Sequence, residues 1–232
     1  LEVEYGMPVH VPMVDVRTVG AGGGSIAKLN SAGLLEVGPD SAGSHPGPIC
    51  YGNGGVLPTI SDANLILGRL NISKIITKTN DVSLSEIKDI FHSSLGEGLG
   101  LDAIKTADAV IKFANTKMAG AIRMVSISLG VDPRDFALFA FGGAGPLHAS
   151  SLAKELGIPK VLIPARPGIT NALGCVVADL RQDFTRTINT PIDKVDINNI
   201  HKIFQDQEVK GIKLIKNQGL DLQKITSSYS LD

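Results

Sequence analysis

Apolar residues recur at helical spacing in the middle of the chain, and this pattern predicts the longest helix, from about Asp102 to Leu129. Gly130 suits the position just after the helix end, and Pro133 lies just beyond it. The stripe consists of Ala107, Val110, Ile111, Ala114, Met118, Ala121, Ile122 and Val125. Small residues are frequent on this stripe, which indicates close packing against a sheet.

Two shorter helices are predicted before the long one. Ser61 and Asp62 can cap a helix that runs through Leu70. Ser83 and Glu86 have the spacing of a capping box, which predicts a helix start that continues toward residue 95.

Residues 136–180 show an α/β pattern. The run FALFAF at 136–141 is continuously apolar, which is typical of a buried parallel strand. The turn GGAGP at 142–146 leads into a predicted helix over 147–156, followed by a strand at 160–164 and a helix at 168–179. Two strands joined through one helix predict a parallel sheet with right-handed crossovers.

The two ends of the chain have less regular patterns. Within a glycine-rich region at 15–60, we predict a strand at 14–19 and a hairpin of strands at 26–29 and 34–37. Toward the other end, we predict a strand at 183–188, an amphipathic helix at 196–218 and the start of a strand at 225–232. A strand at a chain end needs a partner, so we expect the chain to be a piece of a longer polypeptide.

Composition and charge exclude several classes of protein. The 22 basic and 23 acidic residues give a net charge of −1, which excludes a strongly basic nucleic-acid-binding protein and an acidic disordered tail. No apolar run is long enough to span a membrane, and the first residues lack a signal peptide pattern. Two cysteines form no disulfide framework, so the sequence predicts a cytoplasmic protein.

The turn at Gly142, Gly143, Ala144, Gly145 and Pro146 is the strongest candidate for chemistry. Glycines allow close approach of the backbone after a strand, and the following helix presents free N–H groups and the positive end of its dipole. A plain tight turn is an equally good interpretation. The spacing matches neither the dinucleotide-binding fingerprint nor the phosphate-binding loop that ends in Lys-Ser/Thr.

Other candidates are weaker. The loop GAGGGS at 20–25 could hold an anion, although a structural role in the hairpin is as good an interpretation. His45 and Cys50, with Asp62 downstream and no second pair of ligands, are a weak signal for zinc, and ordering of the loop is the favoured interpretation. As a nucleophile, Cys50 would need His45 or His148 nearby as a base.

Three further side chains leave alternatives open. Asp15 could pair with Arg17 or face the glycine-rich loop, because both side chains point the same way from a strand. Cys175 is expected to be a small buried residue within a helix. His148 could cap its helix, pack in the core or contact a ligand.

Several strings together resemble the hydantoinase A/5-oxoprolinase family over roughly residues 7–190. They are VDVRTVGAGGGSIA at 14–27, GPDSAG at 38–43, PGPICYG at 46–52, TISDANLILGRL at 59–70 and FGGAGPLHA at 141–149. YSLD at 229–232 also resembles the opening of the family's next strand.

The resemblance implies an α/β fold, namely an actin/sugar-kinase-like (ribonuclease H-like) lobe with a partly parallel sheet flanked by helices and incomplete at both ends. Residues 1–180 would form the second lobe of an actin-like ATPase domain, and residues 181–232 would begin the next, C-terminal unit. ATP would bind in the cleft between two lobes, together with Mg²⁺ in the full-length parent. Gly142, Gly143, Ala144 and Gly145 match the motif that contacts the adenosine.

The implied activity is ATP-dependent opening of a cyclic amide such as hydantoin, N-methylhydantoin or 5-oxoproline, with a hydantoinase B-type partner subunit or domain. No metal ligands are assigned, and Asp15, His45 and Cys50 are only weak catalytic candidates. The family's two phosphate-binding motifs do not occur in this sequence, so we expect the chain alone not to hydrolyse ATP. The alternatives are the ATP-handling subunit of an acetone-carboxylase-like enzyme and a non-catalytic module that binds a partner.

Overall fold

A computed structural model describes residues 16–75, 80–191, 194–219 and 225–231. These residues fall into two compact units, one from Val16 to Gly174 and the other from Cys175 onward. The strands are β1 (Ser25–Leu29), β2 (Leu35–Ser41), β3 (Ala137–Phe139) and β4 (Lys160–Leu162). The helices are α1 (Ile60–Ile66), α2 (Leu84–Phe91), α3 (Glu97–Leu99), α4 (Ala103–Leu129), α5 (Gly145–Leu156), α6 (Thr170–Val177) and α7 (Ile197–Lys216).

The predicted hairpin is confirmed. Strands β1 and β2 pair antiparallel, with an irregularity between Ser25 and Ala27. Ala27 is buried, and its N–H donates to the carbonyl of Pro58, which connects the hairpin to the approach to α1. The strand expected at 14–19 is not formed by residues 16–19, while Val14 and Asp15 lie outside the described residues.

The long helix is also confirmed. Asp102 caps α4, its Oδ1 accepting from the N–H of Lys105 at 2.8 Å, and Gly130 ends the helix with φ +65°. The predicted start of α1 is wrong by two residues. Thr59 is the cap there and Asp62 completes a capping box with it, because Asp62 lies at the third helical position rather than at the cap.

The predicted parallel pair is confirmed, although it is short. Leu138 of β3 lies opposite Val161 of β4, and α5 connects the two strands. The expected burial is wrong for one face, because Phe139 remains 49% exposed and Phe141 40% exposed. Leu138, on the opposite face, packs against the cluster formed by α4 and α5, whereas the ring of Phe139 contacts that of Phe141 and stays half exposed.

Two apolar clusters form the core of the first unit. The larger joins β1, β2, α1, α2 and the first half of α4, with Phe91, Ile60, Ile87 and Val110 fully buried. The smaller joins the second half of α4 to α5 and the β3–β4 pair through Ala119, Leu152 and Leu156. Met118 packs against both clusters, so α4 connects them.

The unit from Cys175 onward differs most from prediction. Helix α7 forms as expected, with Asp196 as its cap. Residues 183–188 and 225–231 are not strands. Phe184 instead packs against Gly211 of α7, and Tyr229 stacks on Phe204 of the same helix, so side-chain contacts replace strand pairing.

Helix α6 corrects a further expectation. Cys175 is exposed, and no residue of α6 is buried, so Cys175 is not the small core residue that its apolar neighbours suggested. In the described part of the chain, no helix has both the length and the apolar character needed to cross a membrane.

Candidate functional site

The turn after β3 is open and is shaped by one glycine. Gly142 has φ +84°, a conformation that strongly favours glycine, and its N–H donates to the carbonyl of Pro167 at 2.8 Å. Gly143 is exposed and does not have a positive φ. A Cβ added at either glycine would meet no atom within 4 Å. The turn therefore exposes bare backbone at the carboxyl end of a parallel strand.

Helix α5 begins directly after this turn without a side-chain cap. Its N-cap is Ala144, and Pro146 within the first turn has no N–H to satisfy. Among the described residues, nothing accepts a hydrogen bond from the N–H groups of Gly143 and Ala144. Free amides beside a helix start form a surface against which polar or anionic groups of a ligand can lie.

His148, in the first turn of α5, is part of a buried polar contact. It is 3% exposed, and its Nδ1 lies 2.7 Å from Oδ1 of Asn115 in α4. Burial lowers the pKa of His148, and the nearby positive charge of Arg69 lowers it further. The amide oxygen of Asn115 accepts this hydrogen bond in the tautomer of His148 that carries its proton on Nδ1.

Asp62 forms a second buried polar centre, away from the turn. Its carboxylate accepts from the N–H of Cys50 at 2.8 Å, the N–H of Thr59 at 3.0 Å, the hydroxyl of Thr59 at 2.7 Å and the N–H of Ile49 at 3.3 Å. Burial raises the pKa of Asp62, and these hydrogen bonds oppose that rise. Asp62 thus holds the segment 49–51 against the start of α1.

The environment of Cys50 is the opposite of what a nucleophilic thiol requires. Cys50 is fully buried, and burial raises the pKa of its thiol, with the charge of Asp62 adding to the effect. No hydrogen bond within the described residues joins it to His45 or His148, and His45 is exposed. The geometry supports the loop-ordering interpretation of this region, and Asp15 lies outside the described residues.

The loop at residues 20–25 is held by a hydrogen bond within it and by hydrogen bonds from α1 and α4. Ser25 Oγ accepts from the N–H of Gly22 at 2.9 Å, and the carbonyl of Gly23 accepts from the N–H of Ser61 at 2.8 Å. Lys117 of α4 donates to the carbonyl of Val37 at 3.1 Å and to that of Gly20 at 3.5 Å. These contacts favour the structural interpretation of this loop.

Asn115 and Lys117 are two residues that sequence reasoning missed. Asn115 is 7% exposed, beside the apolar stripe of α4. An amide next to apolar positions of a helix was the available signal, because a buried amide requires a partner. Its partner, His148, is 33 residues away along the chain, which periodicity does not reveal.

Comparison with known proteins identifies the family. Residues 1–184 match the model described as Hydantoinase/oxoprolinase. The chain belongs to the hydantoinase/oxoprolinase family. The family resemblance expected from the strings of residues quoted above is therefore confirmed.

Three curated relatives show how the family extends beyond this chain. The chain is 43% identical to an uncharacterized protein of Methanocaldococcus jannaschii, covering 97% of this chain and 34% of that protein. It is 40% identical to the caprolactamase subunit alpha of Pseudomonas jessenii, covering 97% and 33%, and 34% identical to the 5-oxoprolinase of Saccharomyces cerevisiae, covering 96% and 18%. The chain thus spans about a third or less of these relatives.

Two solved structures share the fold. The ATP-dependent caprolactamase from Pseudomonas jessenii matches with a TM-score of 0.70 and 39% identity, over 92% of this chain and 31% of that chain. The nucleotide-free acetone carboxylase matches with a TM-score of 0.68 and 29% identity, over 85% and 28%. The architecture is therefore α/β, with one antiparallel and one parallel strand pair in the described residues.

Proposed function

We propose that this chain is the adenosine-binding part of an ATP-dependent hydrolase that opens cyclic amides, with Gly142–Gly145 lining the adenosine. The main support is the likeness to the ATP-dependent caprolactamase, at 39% identity over 92% of the chain. The turn supports the proposal independently, since it exposes bare backbone at the end of a parallel strand, where ligands bind in open α/β sheets. We further propose the actin-like ATPase lobe as the finer fold class.

The turn fits a nucleotide better than it fits a metal ion. Open space over Gly142 and Gly143 admits a base or ribose, and the amides of Gly143 and Ala144 are free to donate within the described part of the chain. The described residues of the chain contain no group of three His, Cys, Asp or Glu side chains that could hold a metal ion. We therefore propose that Mg²⁺ accompanies the phosphates of ATP and that these residues supply none of its ligands.

A second candidate function is the ATP-handling subunit of a ketone carboxylase. The likeness to acetone carboxylase and 40% identity to an acetophenone carboxylase gamma subunit of Aromatoleum aromaticum favour it. The caprolactamase relative and the acetophenone carboxylase relative are both named as subunits, which supports a partner subunit, and we propose that this partner is of the hydantoinase B type. ATP turnover of the full-length protein with its partner separates the candidates, since cyclic amides stimulate a hydrolase, whereas ketone with bicarbonate stimulates a carboxylase.

The role of the turn is tested by Gly143→Val in the full-length protein. A Cβ at Gly143 meets no protein atom and φ there is not positive, so we expect an unchanged melting temperature. The larger side chain would occupy the space proposed for adenosine, and calorimetric titration should show ATP binding weakened by about tenfold or more.

Gly120→Val is the matched control, because a Cβ at that position in α4 also meets no atom within 4 Å. The control should bind ATP like the wild type. Unchanged ATP affinity in a folded Gly143→Val protein would remove Gly143 from the proposed site.

A further inference from the structure

The start of α5 has no local anchor of its own. Its N-cap, Ala144, provides no side-chain hydrogen bond, and a Cβ at Gly142 or Gly143 would contact nothing. Among the described residues, the turn's one backbone bond to another segment runs from Gly142 to Pro167. The position of this helix start must therefore depend on contacts that α5 makes with the core.

His148 makes a buried polar contact with α4 close to the turn. It lies three residues after Gly145, where α5 begins, and it is buried against α4. At 2.7 Å, its bond to Asn115 is short and inaccessible to water, so breaking it would leave two buried polar groups unpaired. Asn115 lies in α4, which packs in both apolar clusters, so its position is fixed relative to the core.

A second contact joins the same two helices farther along both of them. Arg123 of α4 lies 3.8 Å from the carboxylate of Glu155 in α5 and donates to the Glu155 carbonyl at 3.4 Å. From Asn115 to Arg123 and from His148 to Glu155, both helices advance in the same direction, so they run parallel. The His148 contact thus lies beside the turn, whereas the Glu155 contact lies about two turns of helix farther along α5.

We propose that His148 is a positioning residue for nucleotide binding, which holds the glycine turn in its binding geometry through its hydrogen bond to Asn115. This inference rests on the proposed function. His148 does not touch the nucleotide in this scheme. It acts by keeping the free amides of Gly143 and Ala144 at a constant position relative to the core, so that the turn is preorganised when ATP arrives.

The inference predicts different effects for the two contacts between the helices. In the full-length protein, His148→Leu should weaken ATP binding by about tenfold in calorimetric titration. It should also speed amide hydrogen exchange at Gly142 and Leu147, whose N–H groups are hydrogen-bonded to Pro167 and Ala144. His148→Asn should restore both properties, because its Nδ2 occupies the place of Nδ1 and can still donate to Asn115. Arg123→Gln, which removes the distant contact, should leave ATP affinity and exchange in the turn unchanged.

Several results would overturn the inference. They are a folded His148→Leu protein with wild-type ATP affinity, a His148→Asn protein that is no better than His148→Leu, and an Arg123→Gln protein that loses ATP affinity equally. If His148→Leu does not fold, Asn115→Ala removes the same hydrogen bond by changing its other partner. This variant should show the same weaker ATP binding and the same faster exchange. Failure of the wild type to bind ATP would overturn the proposed function itself, and faster exchange in His148→Leu would then report on the anchor alone.

Discussion

The carboxylate of Asp62 lies fully buried between the segment Ile49–Tyr51 and the start of α1. It accepts from backbone N–H groups of Cys50, Thr59 and Ile49, so one side chain joins two loops that are separate in sequence. His148 plays a comparable part between α4 and α5. At both positions, the buried polar side chain stabilises the fold only because hydrogen-bond partners are present for it.

The first prediction concerns Asp62→Asn. The amide nitrogen would face backbone N–H donors, because both carboxylate oxygens accept hydrogen bonds. We expect a loss of about 3 kcal/mol in the free energy of unfolding, from unsatisfied buried donors. Chemical denaturation measures it. Asp40→Asn, at a solvent-exposed ion pair with Lys28, is the control and should change little. Equal effects of both variants would contradict the role of Asp62.

The second prediction concerns pH and His148. Burial lowers the pKa of His148 below 6.5, so the unfolded chain binds its proton more readily than the native protein does. The free energy of unfolding should therefore fall as the pH falls through about 6.5. Denaturation at several pH values should show a flatter dependence for His148→Asn, which cannot titrate. The other histidines are common to both proteins, so an identical pH dependence would contradict the prediction.

At the scale of elements, α4 organises the first unit. Its apolar stripe contributes to both clusters, and Met118 lies where they meet. The β3–β4 pair depends on this helix for cover, because only the face that carries Leu138 packs against α4 and α5. The opposite face presents Phe139, Phe141 and Leu162 to solvent.

The third prediction compares the two faces of β3. Neighbouring strand residues point to opposite sides, so Leu138 and Phe139 report on different environments. Leu138→Asp places a charge in the smaller cluster and should lower the free energy of unfolding of this chain by about 3 kcal/mol. Phe139→Asp changes an exposed side chain and should cost less than about 1 kcal/mol. A Leu138→Asp chain with unchanged stability would contradict the placement of this strand.

At the scale of the whole molecule, the described residues form two compact units, whereas the proposed enzyme is larger. The chain spans about a third of the M. jannaschii protein and of the caprolactamase subunit. Phosphoryl transfer requires phosphates and metal held in position. The described residues contain an open glycine turn, which we propose binds adenosine, and no cluster of metal-binding side chains.

The fourth prediction is that this chain by itself does not hydrolyse ATP at a useful rate. Release of inorganic phosphate should stay at the background level with and without hydantoin, 5-oxoproline or caprolactam. The full-length protein, assayed with its partner subunit under the same conditions, is the positive control. Phosphate release by the isolated chain that depends on a cyclic amide would contradict this expectation.

Sequence patterns were sufficient to predict the local elements whose signals lie within one turn or one repeat. Asp102 and Gly130 mark the ends of α4, and the hairpin β1–β2 follows from alternating residues around a turn, because capping and periodicity are short-range effects. The strings of residues also indicated the family and the glycine turn. The assignments of Gly142–Gly145 to adenosine and of the two domains remain predictions.

Which side chains contact each other became evident from the three-dimensional structure. It paired His148 with Asn115, buried Cys50 under Asp62, exposed Cys175 and left Phe139 uncovered. It also packed Phe184 and Tyr229 on α7, where alternation predicted strands. Burial, hydrogen-bond partners and strand pairing depend on segments that are distant in sequence. Local patterns do not show which of these segments packs against a given residue.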